Sequence, residues 1–99
     1  MKHVSNEYNY TRLTTQSTGT IQIVTGYAVL HYITVNLTSA ATIGIVNTNY
    51  KNLSATSTVG RIKASPTEGS FFYDVGMSQG IRIVASGHLG DVTVVWSQG

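Results

Sequence analysis

Apolar and polar side chains alternate with a period of two along most of the chain, the pattern of strands that bury one face. It is clearest from Val29 to Thr38, where Val29, Ile33, Val35 and Leu37 share one face and Leu30, Tyr32, Thr34 and Asn36 share the other. The first set is the expected core face. Upstream, Ile21 and Ile23 point inward from a strand over residues 20–24, and Thr25-Gly26 then breaks the run as a turn would. Downstream, Ile43 and Ile45 fall together in a strand over residues 42–46, followed by the turn chemistry of Asn47-Thr48-Asn49.

The second half repeats this rhythm. A strand from Val59 to Ala64 sends Ile62 and Ala64 one way and Arg61 and Lys63 the other, and Pro66 stops it because proline cannot donate to a ladder. Phe71, Tyr73 and Val75 alternate next, then Ile81, Ile83 and Ala85 after Gly76 and Gly80, then Val92, Val94 and Trp96 after the Gly90-Asp91 turn. A weaker candidate over residues 10–14 brings the expected count to about eight. No window combines helical spacing with capping signals, and β-branched residues are too dense for a long helix, so helix should be nearly absent. The expected fold is all-β: a two-sheet antiparallel sandwich, jelly-roll-like, with residues 1–9 as an extended N-terminal arm and residues 10–99 as a single domain. The stretch Asn49 to Ser57 has no periodic signal and is expected to be an exposed loop.

Composition sharpens this picture. The 99 residues suffice for one core, and only 10% are charged while 41% are hydrophobic. Solubility therefore falls to hydroxyls and amides, and Ser and Thr make up about a quarter of the chain. The net charge is +2, and Lys2, Arg12, Lys51, Arg61, Lys63 and Arg82 are scattered apart from the Arg61/Lys63 pair. That is not the basic stripe of a phosphate-binding surface, so no nucleic-acid partner is expected. Without cysteine there is no disulfide or thiolate metal site. Neither a signal peptide nor a membrane span is evident, so a chain made in the cytoplasm is expected, and the three Asn-x-Ser/Thr sequons are discounted.

Candidate chemistry is sparse. His3, His31 and His88 match no ligand spacing, so neither a metal nor any other cofactor is expected. His31 is in phase with the apolar set of its strand and reads as a partly buried histidine with a satisfied hydrogen bond. Glu7 and Glu68 fall on polar stretches, Asp91 reads as a turn former, and Asp74 could form a cross-strand ion pair with Arg82. A hydrolase or lyase would need His31 and Asp74 close together with a further partner, and none is evident. The Gly-x-Ser-x-Gly spacing occurs once, from Gly76 to Gly80, but without the following helix that a nucleophile elbow needs, and no glycine loop opens a helix that could cradle a phosphate. No catalytic residue is therefore assigned. Phe71, Tyr73 and Trp96 are expected in the core, whereas Tyr8 and Tyr10 stand on a polar segment and are better suited to a neighbour's surface.

The segments Ile62-Lys63-Ala64-Ser65, Ser70-Phe71-Phe72-Tyr73-Asp74-Val75, Gly80-Ile81-Arg82-Ile83-Val84 and Gly90-Asp91-Val92-Thr93-Val94, with Val29 to Asn36, resemble small structural proteins of tailed bacteriophages. The resemblance implies a sandwich without catalytic residues, and a capsid decoration (cement) protein or an accessory subunit of a head or tail, located in the virion and assembled in the host cytoplasm. The expected partner is the major capsid protein or another virion protein, with the chain as a homo-oligomer such as a trimer. Tyr8, Tyr10, Arg12 and Leu13 are the expected partner-binding residues, on a segment that could add a strand to a neighbour's edge. The alternative is a carbohydrate- or receptor-binding module that meets a host glycan through exposed Tyr or Trp96.

Overall fold

A computed structural model describes residues 8–14, 19–49 and 58–98. Within them lie eight strands: β1 (Asn9–Thr14), β2 (Gly19–Thr25), β3 (Ala28–Leu37), β4 (Ile43–Val46), β5 (Thr58–Ile62), β6 (Gly69–Met77), β7 (Gly80–Ala85) and β8 (Asp91–Gln98). No helix occurs among the described residues. The strands form two four-stranded antiparallel sheets, β1-β8-β3-β6 and β2-β7-β4-β5, packed face to face. The first strand thus pairs with the last, the second with the seventh, the third with the sixth and the fourth with the fifth. Every connection except β4 to β5 passes from one sheet to the other. The expected loop from Asn49 to Ser57 and residues 1–7 of the expected arm lie outside the described residues, and strand pairing begins at Asn9.

Between the sheets, Leu30, Ile33, Ile45, Ile81, Ile83 and Val94 are wholly buried. Each such side chain contributes about 1.5–3 kcal/mol through removal from water. Phe71, Tyr73 and Trp96 pack against this core, as their phase predicted. The inward sets of β4, β7 and β8 also follow the alternation, whereas in β2 the register slips between Gln22 and Val24, so that Ile23 is unmatched and Val24 as well as Ile21 and Ile23 packs against the core.

Strand β3 departs from it at both ends. Opposite β8, the register slips between Leu30 and Tyr32 and again between Val35 and Leu37. Each slip inserts an unmatched residue, His31 and then Asn36, and a single extra residue exchanges the faces of everything beyond it. Ala28 and Leu30 therefore enter the core in place of Val29, while Leu37 turns out to 54% exposure. This corrects the expected core set Val29, Ile33, Val35 and Leu37, of which only Ile33 and Val35 are fully inward. Ala64 also departs: β5 ends at Ile62, and Ala64 is exposed just before Ser65, whose φ is +53°.

The expected Asp74–Arg82 ion pair is absent for a topological reason. The glycine-containing segment after β6 crosses to the opposite sheet instead of closing a hairpin, so the two residues occupy opposite outer faces of the sandwich. Gly80, where β7 starts, has a φ of +137°, and a Cβ there would lie 2.4 Å from the Val24 carbonyl oxygen. That position requires glycine both for its backbone angle and for the close approach.

Candidate docking face

The outer face of the β1-β8-β3-β6 sheet is read most directly from its register. Tyr10 lies opposite Val95, Val95 opposite Tyr32, and Tyr32 opposite Phe72. These four residues form one cross-strand row spanning all four strands. The Tyr32 and Phe72 rings meet at 5.2 Å between centroids with a 50° tilt, an arrangement that aromatic quadrupoles favour. Tyr10 and Phe72, at the two ends, are 73% and 70% exposed. Alternation puts them there: Phe72 is out of phase with the inward Phe71 and Tyr73, and Tyr32 with the inward Ile33.

The row is flanked by polar rows. On one side Arg12, Thr93, Thr34 and Ser70 stand in register, with Thr34 and Ser70 hydroxyls 2.9 Å apart. Arg12 forms a two-pronged ion pair with Asp91, its Nε donating to Oδ1 at 2.9 Å and its Nη2 to Oδ2. Asn36 donates to Asp91 at 3.3 Å and to Thr93 Oγ1 at 3.1 Å. The hydrogen bond from Arg12 is the main reason the Asp91 carboxyl is held below the usual carboxylate range, and the same bond raises the Arg12 guanidinium.

On the other side the bulge aims a second cluster outward. His31 Nε2 lies 2.8 Å from Ser97 Oγ, and His31 Nδ1 lies 3.2 Å from Asp74 Oδ1. Asp74 has φ +50°, a left-handed conformation that aspartate tolerates better than most residues, and it sits where β6 carries extra residues opposite the β3 bulge. Tyr8 stacks on the imidazole, with centroids 4.0 Å apart and planes 12° from parallel. His31 is thus partly buried with its hydrogen bonds satisfied, as expected, but the bulge turns it to the outer face instead of the inward set with which its phase aligned it, and Ser97 is the partner that sequence reasoning missed. Only the register between β3 and β8 brings it there.

Serine, histidine and aspartate connected in this order can in principle activate a hydroxyl for acyl transfer. Two features weigh against that use. The acid of a triad is buried so that it fixes the imidazole, whereas the Asp74 side chain is 72% exposed. Tyr8 covers a face of the imidazole. The contacts instead tie Tyr8, ahead of β1, to β3, β6 and β8.

Of the expected partner-binding residues, Tyr8, Tyr10 and Arg12 lie together on this outer face. Leu13 does not: it is 5% exposed, in register with Val92, and faces the core. The face also holds Tyr32, Phe72 and Val95, which were not among the expected partner-binding residues although the phase of Tyr32 and Phe72 marked them as outward. Comparison with protein-family models and with characterised proteins gives no match to the chain.

Proposed function

We propose that this protein is a non-enzymatic structural subunit of a phage virion, a capsid decoration protein that docks on the head lattice through the outer face of the β1-β8-β3-β6 sheet. The observation that carries the reading is the outer-face row Tyr10, Val95, Tyr32 and Phe72, whose two ends are exposed while Val95 is buried and Tyr32 partly so. Aromatic side chains enclosed by polar groups are the composition of an interface core and rim, and two aromatics at 70% exposure or more hold apolar area that a partner would cover. The partner is the major capsid protein, and the subunit sits over lattice junctions as a homo-oligomer such as a trimer. Many modest contacts repeated over a shell then resist its opening through multivalency. The pairing of first strand with last, second with seventh and third with sixth supports reading the sandwich as a jelly roll, a rigid body suited to this mechanical task.

The test is co-sedimentation of the purified protein with head shells that lack it. The double variant Tyr10→Ser, Phe72→Ser is expected to lose at least about tenfold in affinity, or about 1.4 kcal/mol, while keeping its thermal midpoint. Full occupancy of the shells by that variant would reject the docking face.

A further inference from the structure

The opposite outer face, on the β2-β7-β4-β5 sheet, carries a cleft of about 640 Å³, within the usual size of small-ligand sites. Its floor is Gly44 and Val84, and Thr20 and Thr42 contribute hydroxyls to its lining. Two cations line it as well. Arg82 is 4% exposed, with Nε donating to Gln22 Oε1 at 2.9 Å and Nη2 to the Asn49 carbonyl at 2.9 Å. Gln22 is itself anchored on the Val24 and Thr48 carbonyls, so the guanidinium is held in one orientation. Both of its acceptors are neutral. A buried cation is normally matched by an anion, and among the described residues no carboxylate meets Arg82. Arg61 is exposed, opposite Gly44 in the ladder, and carries no hydrogen bond or ion pair among the described residues. Strand spacing and register put the two arginine Cα atoms ~12 Å apart, so their long side chains can approach one ligand from two sides.

From this arrangement we infer a binding site for a saccharide that bears a carboxylate. The carboxylate pairs with the arginines, whose planar fork matches it in two-pronged fashion. The ring lies over Gly44 and Val84, where the missing side chain leaves a flat floor, and its hydroxyls exchange hydrogen bonds with Thr20 and Thr42. An acidic peptide fits less well, because the cleft opens on the outer face of the sheet, where side chains and not main-chain donors and acceptors are presented. The inference goes beyond the docking reading: a subunit seated by one sheet would present this cleft outward on the other.

The isolated protein in solution tests it, independently of any shell. Amide chemical shifts are followed by NMR during titration with 3′-sialyllactose, a trigalacturonate, neutral lactose and an oligoglutamate peptide. Saturable shifts confined to β2, β4, β5 and β7 are expected with at least one of the acidic sugars, and binding at least about tenfold weaker with lactose. Arg61→Ala should weaken that binding by about tenfold or more. Gly44→Val should do the same by filling the floor, since a Cβ there meets its nearest atoms at ordinary contact distance, 3.5 and 3.6 Å. Phe72→Ser on the far sheet should leave it unchanged. No saturable shift with either acidic sugar, equal response to lactose, stronger binding of the peptide, or undiminished binding by Arg61→Ala would each overturn the site.

Discussion

At Asp91 a single side chain links the edge strand β1 to the middle of its sheet, since its carboxylate accepts from Arg12 on β1 and from Asn36 on β3. Its acidity is increased in the folded protein chiefly by the Arg12 hydrogen bond, and in the unfolded chain it returns to the ordinary value near 4. A carboxyl with a depressed folded pKa contributes stability that is present above its unfolded value and lost as pH falls through the folded value. Urea unfolding of the wild type should therefore weaken as pH drops from about 4 downward, and Asp91→Asn, which cannot titrate, should show a shallower decline over that window. Parallel acid limbs for the two proteins would show that the pair contributes nothing that depends on pH. The composition made Arg12 and Asp91 visible as charges. Their partnership was not visible, because it depends on the first strand lying beside the last.

Among the elements, β3 shows where sequence patterning succeeds and where it stops. Strict alternation located the strand and placed Ile33 and Val35 inward, because burial of one face imposes a period of two. The bulges at His31 and Asn36 then reset the phase on either side, and nothing in the local residues announces a bulge that is defined only against the neighbouring strand. The consequence is measurable. Leu30→Ala is expected to cost about 2–5 kcal/mol, as for a leucine removed from a packed core, whereas Leu37→Ala should stay within ~0.5 kcal/mol. Denaturant midpoints at constant m-value give both figures, and equal costs would mean that the phase does not change along β3. The candidate site divides in the same way. The outward phase of Tyr32 and Phe72 could be read from their own strands, but the row they form with Val95 and Tyr10, and the meeting of His31 with Ser97, follow from register and sheet order, which one sequence does not encode locally.

For the whole molecule, the nested pairing sets the order in which folding can proceed. The β4–β5 pair is the closest along the chain, and β3–β6, β2–β7 and β1–β8 enclose progressively longer stretches. Each enclosing pair is cheaper to close once the one inside it has formed, because loop-closure entropy depends on the length still free. With nearly all pairing non-local, refolding should fall in the millisecond-to-second range typical of sandwiches. The inner pairs should be ordered in the transition state and the outer pair last. Ile45→Val, in the core face of β4, should then slow refolding in stopped-flow experiments, whereas Leu13→Ala, in the core face of β1, should leave refolding nearly unchanged and accelerate unfolding. The opposite partition, with Leu13 controlling the folding limb, would mean that the sandwich closes first at its ends, with β1 and β8 as its nucleus.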